Sequence, residues 1–194
     1  MEGMIKVGHY RLTLKVSLIN AKSEYCEGYG NRTQDGYYIL ALDYDGFRQD
    51  WVEEEMQRLA IDHDISSYAV LKCGERSYHV VGLEKMPYRA YLSLLRDSSA
   101  DSAFKWIPKY VSLKRWVLRY SGKEGRGSPE MVSWHYRHKP KGKVSQAHLD
   151  LLLKSGLLRK DYIPVKEFDE LMSKSDKSSD IYLCSYRTGN KVIL

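Results

Sequence analysis

The chain has 194 residues and a net charge of +6, enough for one full domain and too little for two large ones. Hydrophobic residues make up 43% and charged ones 29%, a globular balance with no apolar run as long as a membrane span and no secretory-type N-terminus. Three scattered cysteines, Cys26, Cys73 and Cys184, offer neither a disulfide framework nor a CxxC zinc knuckle, so a reduced, intracellular (cytoplasmic) protein is expected, with no membrane partner.

In chain order, residues 5–20 alternate and are rich in β-branched side chains, which predicts one long strand or a hairpin. Lys22 to Gly36, with Gly28, Gly30 and Asn31, reads as a loop. YYILALDYD (37–45) is apolar on both faces until its end, the pattern of a central buried strand. From Phe47 the apolar positions fall at helical spacing. SSYAVLK (66–72) and SYHVVGL (77–83) predict a hairpin turning at Cys73–Arg76, and Pro87 opens a helix running towards Asp97. Residues 99–110 read as a weaker helix or loop. RWVLRYS (115–121) is expected as a strand with EMVSWHYRH (130–138) as its antiparallel partner.

KPKGK (139–143) has the look of a linker, which divides the chain into a core at 1–140 and a small extension at 141–194. The extension holds a helix at 145–154 capped by Ser145 and stopped at Gly156, a second helix after Pro164, and a closing hairpin IYLCSYR–TGN–KVIL. Such a unit forms either a small winged-helix-like module or the last layer of one domain, and packing on the core is the preferred reading. The fold class expected is α+β, with a mostly antiparallel central sheet flanked by helices.

Three features bear chemistry. Asp43 and Asp45 end an apolar strand and, two residues apart, project from the same face. Two oxygen donors so placed suit Mg²⁺ or Mn²⁺ better than zinc; a strand end meeting water is the plainer alternative. His79 shares a strand face with Ser77, close to Lys72 and Arg76, where it suits either a triphosphate or a structural hydrogen bond. Arg115, Arg119 and Lys123 lead a basic strand into a glycine-containing loop of a kind that cradles phosphates. Around them, residues 105–143 hold eleven lysines or arginines against two acids, Glu124 and Glu130, interleaved with aromatics such as Trp106, Trp116 and Trp134. That composition fits phosphates and stacked bases as well as it fits a solvated basic face.

In this order, LALDYD, SYH and RWVLRYSGK resemble the catalytic core of the archaeo-eukaryotic primase superfamily, the primases and primase-polymerases, over residues 35–135. The resemblance implies Asp43 and Asp45 as metal ligands, and His79 with Ser77 on the incoming nucleotide. It implies Arg119 and Lys123 near the triphosphate or the template. The family's third carboxylate has no direct counterpart in RWVLRYS; Asp101 is the nearest acid, followed by Asp97 and Glu130. The strand track is expected along Arg115, Arg126, Lys139, Lys141 and Lys143. The activity implied is a Mg²⁺- or Mn²⁺-dependent nucleotidyltransferase that extends a nucleic-acid 3′-hydroxyl on a template. Nucleoside triphosphates, single-stranded or primed DNA and a replicative helicase are the implied partners. A catalytically degenerate nucleic-acid-binding replication factor is the alternative, and a metal-dependent nuclease a third.

Overall fold

A computed structural model describes residues 2–7, 10–15, 25–110, 115–123, 126–176 and 181–187. The N-terminal segment forms a hairpin of β1 (Glu2–Val7) and β2 (Tyr10–Lys15). Strands β4 (Ala41–Asp45), β5 (Ser67–Gly74), β6 (Ser77–Val81) and β8 (Glu130–Tyr136) make a four-stranded sheet in the order β4-β6-β5-β8, antiparallel throughout. A second antiparallel sheet joins β3 (Tyr25–Thr33), β7 (Val117–Arg119) and β11 (Ile181–Arg187) in the order β11-β3-β7. β9 (Val144–Ser145) and β10 (Ser175–Asp176) add a short parallel pair. The helices are α1 (Gln49–Asp62), α2 (Tyr88–Asp97), α3 (Ser102–Tyr110), α4 (Gln146–Lys154) and α5 (Val165–Ser173). The α+β class follows, with antiparallel sheets flanked by helices. Among the described residues, no helix is long and apolar enough to cross a membrane.

α1 buries Val52, Met56, Leu59 and Ala60, one stripe at helical spacing, against one face of the four-stranded sheet. The Tyr44 hydroxyl points to Met56 Sδ at 3.7 Å, which fixes that face as the one carrying Tyr44. Val52, Met56 and Leu59, fully buried, each stabilise the fold by about 1.5–3 kcal/mol. Because side chains alternate along a strand, Asp43 and Asp45 project from the opposite face. That face lies towards β7 and the C-terminal helices: Arg119 reaches Cys73 O, and Trp134 Nε1 donates to Glu167 of α5 at 2.8 Å.

Several expectations are corrected. β4 lies at the margin of its sheet, not at the centre. Its outer edge is closed by helices instead of a strand, since Tyr91 Oη donates to Ala41 O and Asp101 N donates to Asp43 O, both at 2.7 Å. The backbone groups of this margin are therefore met without a neighbouring strand. The segment read as a loop contains β3, whose glycines sit in a buried strand between two neighbours. β7 and β8 are not partners. β7 pairs with β3 and β8 with β5, so the intervening residues cross from one sheet to the other. Residues 99–110 resolve as α3 from Ser102.

Beyond residue 141, the described helices α4 and α5 and the turn between them pack into the same core. Leu149, Leu152, Leu157, Leu158 and Leu171 are buried in one cluster with the central sheet, and β11 completes the second sheet. The TGN–KVIL half of the expected closing hairpin lies outside the described residues.

Candidate functional site

Antiparallel register sets Asp43 directly opposite His79 and Asp45 opposite Ser77, so all four side chains share one face at one end of the sheet. His79 Nε2 stands 3.6 Å from Asp43 Oδ1, longer than a hydrogen bond. The imidazole is 6% exposed and the carboxylate 27%. Burial, with Arg119 nearby, pushes His79 down to about 3, so the ring is neutral and the contact is not an ion pair. Its Nδ1 is buried with no hydrogen-bond partner among the described residues. Burial first, then the neighbouring charges of Asp45 and Asp101, push Asp43 up to about 7, while Arg119 and Lys123 pull it back. Three acids and two cations therefore act on one another across this face.

Beyond Asp45 the chain reverses at Gly46, whose φ of 89° suits glycine, and Gly46 N donates to Arg76 O at 2.7 Å. The exit of β4 is thus tied to the β5–β6 turn. An open cleft of about 720 Å³ begins here, walled by Asp45, Ser77, Lys72, Arg76, Arg126 and Glu130 among others.

Asp101 lies at the start of α3, joined to β4 through its own N–H; its Oδ1 accepts from Phe104 N at 2.9 Å as a helix cap. Asp97, the first fallback, is engaged elsewhere with Arg96 and His63, whereas Glu130 lines the cleft. Arg119 is buried, and its guanidinium donates to Cys73 O, Ser121 O and Gly127 O at 2.8, 2.9 and 3.0 Å. Lys123 is exposed. Arg115 stacks over the Tyr182 ring at 4.7 Å, in the second sheet.

Lys139, Lys141 and Lys143 are not brought to this site. They follow the far end of β8, where Tyr136 pairs with Ser67, while Asp45 is at the end where Lys72 pairs with Glu130. Lys141 pairs with Asp64 and Lys143 with Asp176. Two features escaped the sequence reading. One is Cys73, a buried thiol pushed up to about 12 by burial, within electrostatic reach of Asp43. The other is the Phe47–Trp51 stack beside Asp45, legible only as an i, i+4 aromatic pair at a helix start.

Asp43 and Asp45 fit a hard divalent cation. They are oxygen donors on one face, crowded by like charge, and Mg²⁺ is usually held by one or two carboxylates with water and substrate phosphates completing the set. Among the described residues no group of three or more His, Cys, Asp or Glu side chains is arranged to hold a metal by itself. Compared with protein-family models, with curated proteins and with solved structures, the chain matches none.

Proposed function

We propose that this protein is a metal-dependent nucleotidyltransferase of the primase-polymerase kind, adding nucleotides to a nucleic-acid 3′-hydroxyl on a template. The observation that supports it most is the direct cross-strand placement of Asp43 opposite His79, with Asp45 on the same face and the charges of Asp101, Arg119 and Lys123 acting on it. In the reaction, the 3′-oxygen forms a bond to the α-phosphorus, the bond to pyrophosphate breaks, and the hydroxyl proton is lost to solvent. A magnesium or manganese ion held by Asp43 and Asp45 would neutralise phosphate charge and favour the ionised hydroxyl.

The chain's own groups do the rest. His79 is neutral, and its Nε2, on the Asp43 side of the ring, makes no hydrogen bond of its own among the described residues, so it is suited to donate one to a phosphate oxygen. Arg119 is held by three carbonyls, so it supplies a fixed positive charge instead of a swinging arm. Lys123, exposed, is free to follow the leaving pyrophosphate.

The test is incorporation of labelled ribo- or deoxynucleotides on a primed template with Mg²⁺ or Mn²⁺. Wild type is expected to incorporate, and Asp43→Asn with Asp45→Asn to abolish incorporation while leaving strand binding intact. No incorporation with any nucleotide set overturns the reading. That outcome favours a catalytically degenerate binding factor, which the commitment of Arg119 to carbonyls and of Asp101 Oδ1 to a helix cap also fits.

A further inference from the structure

We infer that single-stranded nucleic acid crosses the Asp45 end of the molecule, with one base stacked on Trp51 and its backbone phosphates met by Lys72, Arg76 and Arg126. The inference rests on the proposed function only for calling that strand a template. Trp51 is the ring that starts the path. It is 38% exposed, lies parallel to Phe47 at 4.2 Å and 17°, and meets Tyr44 edge-on at 6.4 Å. An indole backed by two aromatic rings offers a rigid outer face, the platform on which unpaired bases stack whatever their sequence.

The cations follow from the same geometry. Phe47 comes directly after Gly46, which is hydrogen-bonded to Arg76, so the platform and the β5–β6 turn share one end of the sheet. Lys72, on the Tyr44 face, is cross-strand neighbour to Tyr78, which in turn faces Tyr44. Arg126 stands over Gly74 on the cleft's other wall. All three cations are exposed and make no ion pair among the described residues, unlike Lys141 and Lys143 at the far end. Asp45, Glu75 and Glu130 line the same cleft.

The experiment is anisotropy of a dye-labelled oligothymidylate with the full chain, in chelator and without nucleotide, over a range of salt. Trp51→Ala, and separately Arg76→Ala with Arg126→Ala, should each weaken binding about fivefold or more, and the arginine variant should flatten the salt slope by about 0.7 for each phosphate it no longer neutralises. Trp51→Phe should retain most of the affinity, and circular dichroism separates lost stacking from lost fold. Should Trp51→Ala fail to fold, the arginine variant decides, since both its side chains are exposed. Unchanged affinity and slope in these variants overturns the inference, as does a loss confined to Lys139→Ala with Lys141→Ala and Lys143→Ala. Because metal and nucleotide are absent, strand binding by a chain without incorporation upholds this path while removing the chemistry. Incorporation that survives with unchanged strand affinity in Trp51→Ala does the reverse.

Discussion

Asp101 holds two positions at once, one carboxylate oxygen capping α3 and the whole group close enough to raise Asp43. The roles separate by substitution. Asp101→Ala removes cap and charge together and should cost about 1 kcal/mol of stability. Asp101→Asn keeps a capping oxygen, so it should unfold near the wild-type temperature. If Asp101 completes the metal site, turnover in Asp101→Asn should still fall about 10²-fold or more, read by steady-state incorporation beside a melting curve. Arg119 makes the opposite case. Arg119→Ala leaves three carbonyls short of a donor and should cost about 2–4 kcal/mol in urea titration, so any loss of activity must be corrected for folding. At this scale the sequence was informative where the period of two sufficed: it put Asp43 with Asp45 and Ser77 with His79. It offered Arg119 to phosphates and was silent on the side chain's partners, carbonyls brought from residues 73 and 127 by the fold.

Elements were legible where apolar spacing was regular and opaque where a neighbour decided. α1, α2, α4, α5 and the β5–β6 hairpin each carry their own signal in stripe, proline or turn. β3 carries Gly28, Gly30 and Asn31, which read as a loop, yet pairing with β7 and β11 overrides local preference. The margin position of β4 was hidden for a related reason: burial on both faces does not report a strand on each side, and here α2 and α3 cover the edge. Close approach also explains Gly82, just after β6. A Cβ there would meet Leu40 Cβ at 3.0 Å and Ser67 O at 3.1 Å, one of them backbone. Gly82→Ala should therefore destabilise by about 1–3 kcal/mol, against the usual gain from replacing glycine, and a lowered melting temperature with unchanged strand affinity would show it.

Across the whole molecule, His148 joins α4 to the second sheet. It is buried, with Nδ1 at 2.7 Å from Ser145 Oγ and Nε2 at 3.0 Å from Gly30 O. Burial, opposed by the bond to Gly30 and helped by Lys85, pushes it down to about 4. The unfolded chain, with an ordinary histidine near 6.5, binds the proton first. The stabilisation is therefore complete above about pH 6.5, falls as pH drops towards 4, and is flat below, a change on the order of 3 kcal/mol. Calorimetry between pH 7 and 4 should show this decline, and His148→Gln should make it shallower. His79, likewise held neutral, acts in the same direction and keeps the decline from vanishing. Lys85 carries a different consequence. Its ammonium, 3% exposed, is held by Asp35 at 2.8 Å and Asp176 at 3.3 Å, fifty residues upstream and ninety-one downstream. A chain shortened to end after Ser173 strands that ammonium with half its counter-charge and should melt earlier. During synthesis the same knot cannot be tied until Asp176 has left the ribosome, so Lys85 waits for its second counter-charge while the ninety-one residues after it are made.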